Sequence, residues 1–443
     1  MTLAAELAAG RTNSQALVEE ALTRIAAPPG EGARVFLRTH RESALAEARA
    51  SDALRAHGIV PSALAGIPVS VKDLFDVAGD ITRAGSKVLA DSAPAKHDAT
   101  VVRRLRQAGA IIIGRTNMVE FAFSGLGLNP HYGTPKNPWD RATGRIPGGS
   151  SSGAAVSVSD GMAAMGLGTD TGGSVRIPAA LCGLTGFKPT ARRIARDGTF
   201  PLSTTLDSIG PIARSVACCA LADSILAGEM PQVPPALPLK GLRLGVVQDY
   251  VLDDLDGEVA QAFGKALARL SRAGALVSEL RFEALRRLPQ INQKGGVVVA
   301  EAYAVHRELI ARRKAEYDPR VASRTLRGAD MSAADYIDVL AERAALIAES
   351  MRLTAPYDAL LMPTVPMLAP AIAPLETDDR LYGRTNLAIL RNPSVVNFLD
   401  GCALTIPCQE PGAAPVGLML VGQTGEDRRL LALGLALESA LRP

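Results

Sequence analysis

Short apolar runs bounded by glycine, proline or charge alternate along this chain with longer amphipathic stretches, and that alternation leaves few folds open. Residues 66–73, 110–114, 163–168, 242–247, 275–280, 360–362 and 416–421 read as strands, apolar along almost their whole length. Between them, residues 14–25 repeat Leu17, Val18, Ala21 and Ile25 at helical spacing, with Ser14 placed to cap the first turn. Residues 41–56, 98–109, 258–272 and 426–441 read as helices in the same way. A strand that is apolar on both of its faces must be covered on both, so the expected fold is α/β: one large α/β/α domain over 1–443, its mixed central sheet covered by helices on both faces. At 443 residues the chain exceeds one simple core, and the proline-rich piece 231–238 could link two domains. Strands continue beyond it, which favours a surface crossover.

Composition excludes several function classes. Net charge is +3 from 48 basic and 45 acidic residues, with no concentrated basic run, so nucleic-acid binding has no electrostatic footprint. The arginines at 103, 104 and 106 and at 192, 193 and 196 read as solvated faces. Residues 1–11 carry Glu6 within their apolar part and do not resemble a secretory signal, and no apolar run reaches the ~18 residues of a membrane span. Five cysteines, an odd number without metal-ligand spacing, fit reduced thiols in a cytoplasm. No metal and no cofactor is expected.

The densest unusual segment spans residues 144–189. It holds two Gly/Ser clusters, 148–153 and 169–174, on either side of the apolar run 163–168. A surface loop is the usual fate of such composition, but it does not explain glycines set between apolar strands. A P-loop would close on Gly-Lys-Ser/Thr, which is absent, and a dinucleotide fingerprint would need its acidic partner about 20 residues onward in a βαβ unit, a pattern not read here. What remains is a serine nucleophile with backbone donors for an oxyanion, the second cluster opening onto a helix from Ser174 to Leu181. Such a serine needs a base. The five histidines, at 40, 57, 97, 131 and 306, lie outside both clusters, and a lone histidine is more often structural, so none is assigned a role. Lys72, at the end of a buried strand, is the alternative, because burial penalises the ammonium and favours the neutral amine.

Three segments carry a family likeness: Lys72 within 66–73, Pro-Gly-Gly-Ser-Ser-Ser-Gly at 147–153, and Gly-Thr-Asp-Thr-Gly-Gly-Ser-Val-Arg-Ile-Pro at 168–178. Together, and in this order, they strongly resemble the amidase signature family, with a signature core of about 66–190. Supporting matches at 114–118, 137–139, 182–183, 186–190 and 415–422 extend the resemblance over nearly the whole chain.

The resemblance implies a catalytic triad of Lys72, Ser150 and Ser174, with Ser174 as nucleophile and Ser150 relaying its proton to neutral Lys72. It implies an oxyanion hole from the backbone amides of Thr171, Gly172, Gly173 and Ser174, and a cis peptide between Gly149 and Ser150. Gly149, Ser151, Asp170 and Arg176 are implied as supports, and Phe123, Ser124 and Gly125 as lining of the acyl pocket. The implied activity is hydrolysis of a carboxylic acid amide through an acyl-enzyme. The expected partner is a small-molecule amide, with neither nucleic acid nor membrane, and a homodimer is left open. Two neighbouring activities stay open as well: the glutaminase subunit of a tRNA-dependent amidotransferase, and a hydrolase of ureido amides such as allophanate or carboxybiuret, which residues 397–402 resemble. A binding protein without activity on the same scaffold is disfavoured by the intact triad.

Overall fold

The computed structural model describes residues 2–441, and the apolar runs assemble in it as one sheet. The strands are β1 (Phe36–Thr39), β2 (Pro68–Lys72), β3 (Ile111–Thr116), β4 (Met165–Asp170), β5 (Thr185–Lys188) and β6 (Ser208–Ala213). They continue with β7 (Arg243–Val247), β8 (Leu276–Leu280), β9 (Ala359–Pro363), β10 (Cys402–Pro407) and β11 (Gly417–Gly422). Their spatial order is β1-β3-β2-β4-β6-β5-β10-β11-β9-β7-β8. The sheet is mixed as expected: β3-β2-β4 and β9-β7-β8 are parallel, while β4-β6-β5-β10-β11-β9 run antiparallel.

The period of two along each strand divides the core between two faces. Along β3, Ile112 joins one cluster while Ile111 and Ile113 join another; along β11, Leu418 and Leu420 face away from Met419 and Val421. One face is covered by the helices Thr100–Gln107, Val216–Ala227, Gly257–Arg272 and Asp427–Leu441. Ser14–Ala26, Arg41–Ala56, Ser152–Ser159, Ala333–Thr354 and Asp379–Phe398 cover the other. Each of these isoleucines, fully buried, contributes roughly 1.5–3 kcal/mol relative to exposure.

The structure corrects several local expectations. The first long helix is capped by Asn13, whose side chain accepts from the Ala16 amide, whereas Ser14 is already helical and its own amide donates to Asp52. Arg193 is not a solvated charge, being mostly buried between Asp223 at 2.7 Å and Glu229 at 2.9 Å. Strand β8, at the sheet edge, is buried only in part, and Leu276 is exposed. The helix after the second Gly/Ser cluster is shorter than expected, Arg176–Leu181, which leaves Ser174 in the turn before it. Residues 231–238 form a mainly exposed connection without regular structure, as a surface crossover should.

The topology decides where chemistry can occur. Parallel neighbours β2 and β4 pair Val69 with Met165 and Val71 with Leu167, so their C-terminal ends lie together. In open α/β sheets the crevice beyond such ends is the usual ligand site.

Candidate active site

Lys72 is the last residue of β2 and fully buried. Two positions earlier on the same strand face, Ser70 Oγ lies 2.8 Å from Ser157 Oγ of the helix Ser152–Ser159. That helix begins directly after Ser150 and Ser151, so packing it on β2 brings Ser150 against the lysine. Lys72 Nζ donates to Ser150 Oγ at 2.8 Å and to Thr169 Oγ1, on the adjacent strand β4, also at 2.8 Å. The Gly149–Ser150 peptide is cis. It is held from both sides, Gly149 donating to the Gly125 carbonyl and Ser150 accepting from the Val119 amide. A Cβ on Gly149 would fall 2.6 Å from the Gly127 nitrogen, so only glycine fits there.

Burial lowers the Lys72 pKa to about 7, against the opposing pull of the nearby Asp207 and Asp170 carboxylates. An ordinary lysine is neutral in about one molecule in 3,000 at pH 7. Here a large fraction is neutral.

Ser174 follows β4 by four residues and is 4% exposed, opening into a cavity of about 660 Å³. Its carbonyl accepts from the Ser151 amide at 3.3 Å, which ties the two Gly/Ser clusters together. Lys72 and Ser150 are sealed behind it. Among the described residues no hydrogen bond joins Ser150 Oγ to Ser174 Oγ, so of the two serine hydroxyls it is that of Ser150 which Lys72 reaches.

The turn that presents Ser174 is built on Asp170. Its carboxylate accepts from the amides of Gly173 at 2.9 Å and Val175 at 3.1 Å, and from Arg176 Nη2 at 2.8 Å and Nε at 3.0 Å. Burial alone would raise the Asp170 pKa, but Arg176, Lys188 and Asn397 overcome it and hold the group well below the carboxylate range. Arg176 is itself fully buried and also donates to the Pro393 carbonyl and to Asn397 Oδ1. Gly173 sits at φ +125°, and a Cβ there would meet Ile177 and Pro393 at 2.6 Å. The Gly173 amide already serves Asp170, whereas Thr171, Gly172 and Ser174 line the cavity. Arg176→Met is expected to cost about 3–5 kcal/mol of stability, because it strands a buried carboxylate; thermal or denaturant unfolding checks it.

Of the expected pocket residues, Phe123 and Ser124 line the cavity. Gly125 does not; its amide donates to Asn386 Oδ1, which also accepts from Ser124 Oγ, and its carbonyl supports Gly149. The sequence reading missed Thr169 as a partner of Lys72, and Asp207, which accepts from Thr171 Oγ1 and from the Leu202 and Ser203 amides. Two histidines do have carboxylate partners from elsewhere in the chain, His40 with Asp80 and His131 with Glu120, each at 2.7 Å. None of the five histidines lines the cavity. Among the described residues no cluster of three His, Cys, Asp or Glu side chains could hold a metal ion, and no helix is long and apolar enough to cross a membrane.

Known proteins resemble this chain over nearly its whole length. It is 38% identical to 2-amino-5-chloromuconic acid deaminase of Comamonas testosteroni, over 89% of this chain and 86% of that protein. It is 34% identical to a glutamyl-tRNA(Gln) amidotransferase subunit from Chloroflexus aggregans, over 98% and 94%. A crystal structure of an amidase, 35% identical, superposes with a TM-score of 0.88 and covers 99% of this chain and 98% of its own. The amidase family model matches residues 16–431. With a family match over residues 16–431 and likeness of this kind along nearly the whole chain, the chain belongs to the amidase family.

Proposed function

We propose that this amidase cleaves the C–N bond of a small carboxylic acid amide through an acyl-enzyme on Ser174. The observation that carries the reading is the contact between Ser150 and a buried lysine whose pKa lies about 7, next to a serine that opens into a cavity. Neutral Lys72 takes the Ser150 proton, Ser150 takes the Ser174 proton, and Ser174 Oγ attacks the amide carbon. The negative charge that develops on the former carbonyl oxygen meets the amides of Thr171, Gly172 and Ser174. Preorganised donors of this kind are worth roughly 3 kcal/mol each. Ser150 then returns the proton to the departing nitrogen, ammonia or an amine leaves, and water activated by the same relay releases the acid. Thr169, within reach of Lys72 Nζ, orients the amine toward Ser150. The five cysteines, four of them buried and none in a disulfide, suit a reducing cytoplasm.

Hydroxylamine tests the covalent step. An acyl-enzyme divides between water and the added nucleophile, so a hydroxamate is expected to form at the expense of the acid while amine release keeps its rate. Acid alone, at every hydroxylamine concentration, would rule out an acyl intermediate. The likeness to an amidotransferase component supports a second reading, a glutaminase that works within a complex. Copurification with two further subunits, and glutamine hydrolysis that depends on them, would favour it.

A further inference from the structure

The cavity above Ser174 is lined by three arginines, Arg324, Arg327 and Arg391, and among the described residues that line it there is no aspartate or glutamate. Most arginines of this chain that reach a partner do so through a carboxylate. Arg324 and Arg391, both half-buried, are held by neutral groups instead. Arg324 donates to the Phe123 carbonyl and stacks 5.3 Å from the Phe123 ring. Arg391 donates to Asn392 Oδ1 at 3.0 Å and to the Val251 carbonyl at 3.3 Å, with the Tyr250 ring 5.9 Å away. The acidic groups that act on Arg391, Asp253 and Asp254, lie outside the cavity lining, and Asp253 is paired with Arg286.

Arg324 and Arg391 are both tied to segments that line the same cavity as Ser174. Phe123, gripped by Arg324, precedes Ser124 in the acyl-pocket segment. Arg391 lies on the helix Asp379–Phe398 one turn before Ser394, whose hydroxyl donates to the Gly172 carbonyl at 3.4 Å. Two guanidinium groups held by neutral hydrogen-bond partners, in a cavity lined by no aspartate or glutamate among the described residues, hold a standing attraction for an anion, and the guanidinium fork matches a carboxylate in geometry.

We propose that the substrate carries a free carboxylate remote from the scissile amide, received by Arg391 and Arg324, so that the enzyme acts on monoamides of dicarboxylic acids. This rests on the amidase reading for the reaction, but the binding claim stands apart from it. Ammonia release from succinamate, glutaramate and adipamate is to be compared with butyramide, valeramide and hexanamide, the neutral amides of equal length. At least one anionic amide is expected to exceed its neutral partner by roughly 10- to 100-fold in kcat/KM. Arg391→Gln and Arg324→Gln should each reduce that ratio about tenfold, through KM, with partial recovery in Arg391→Lys. Ratios near one, or variants that slow both substrates equally, would overturn the proposal.

Calorimetric binding of succinate, glutarate and adipate to wild type and to each Gln variant separates the two claims, with circular dichroism to verify that the variants fold. If these diacids bind with a dependence on Arg391 or Arg324 while Ser174 resists a fluorophosphonate probe, the acyl-transfer reading fails and the carboxylate site stands. If Ser174 is labelled but no diacid binds and the ratios are near one, the site fails alone.

Discussion

Ser174→Ala is expected to lower amide hydrolysis by roughly ten-thousand-fold or more, while leaving the fold and the diacid affinity nearly intact. The hydroxyl is the only part of this residue that the substitution removes. Ser174 is held through its backbone, its carbonyl accepting from Ser151 and its turn fixed by the Asp170 carboxylate through Gly173 and Val175. The loss therefore falls on chemistry, where removing a nucleophile from a set of groups that act as a unit costs nearly everything the set provides. Ammonia release at saturating amide measures it, with unfolding curves to show unchanged stability.

Lys72→Ala is expected to be the second severe loss, roughly a thousand-fold at pH 7, within the range assigned to a general base. On the proposed relay the active form is the neutral amine. As pH falls through about 7 the amine gains a proton and cannot accept another, so kcat/KM should drop on the acid side with an inflection near 7 and level off above it. Asp207→Asn removes one of the charges that favour the ammonium, so this acid limb should move to lower pH. In Lys72→Ala the limb should vanish together with the rate. Ser150→Ala is expected to keep more activity than either, since solvent can replace a relay hydroxyl more readily than a nucleophile or a base.

Much of this was legible along the chain, and the reason is locality. Lys72 ends an apolar β-branched run, the two Gly/Ser clusters flank another, and each of those features lies within ten residues of sequence. Strands apolar on both faces announced helices on both faces, and the division of β3 and β11 between two cores is the physical form of that pattern. The misses are of another kind. Strand β6 carries Gly210 and Pro211, residues that disguise an interior strand, and it is β6 that pairs Ser208 with Asp170 and so delivers Asp207 to Thr171. Asn386 reaches Ser124 across 262 positions, and Asn397 reaches Asp170 across 227. Such partners exist only once the sheet order is fixed.

The glycines show the same limit. In sequence the clusters read as backbone donors for an oxyanion; at Gly149 and Gly173 the structure shows a close approach to the protein's own chain, Gly127 in one case, Ile177 and Pro393 in the other. The tight packing fixes the turns that carry Ser150 and Ser174.

The relay from Lys72 through Ser150 to Ser174 is tested most directly by the pH dependence of covalent labelling. A fluorophosphonate is to be reacted with wild type, Lys72→Ala and Ser150→Ala from pH 5 to 9, and the modified peptide mapped by mass spectrometry. The adduct is expected on Ser174, forming at a rate that rises with pH to an inflection near 7 in wild type and that is slowed most in Lys72→Ala. An adduct on Ser150, or a Ser174 adduct whose rate in Lys72→Ala equals that of wild type across this range, would contradict the relay.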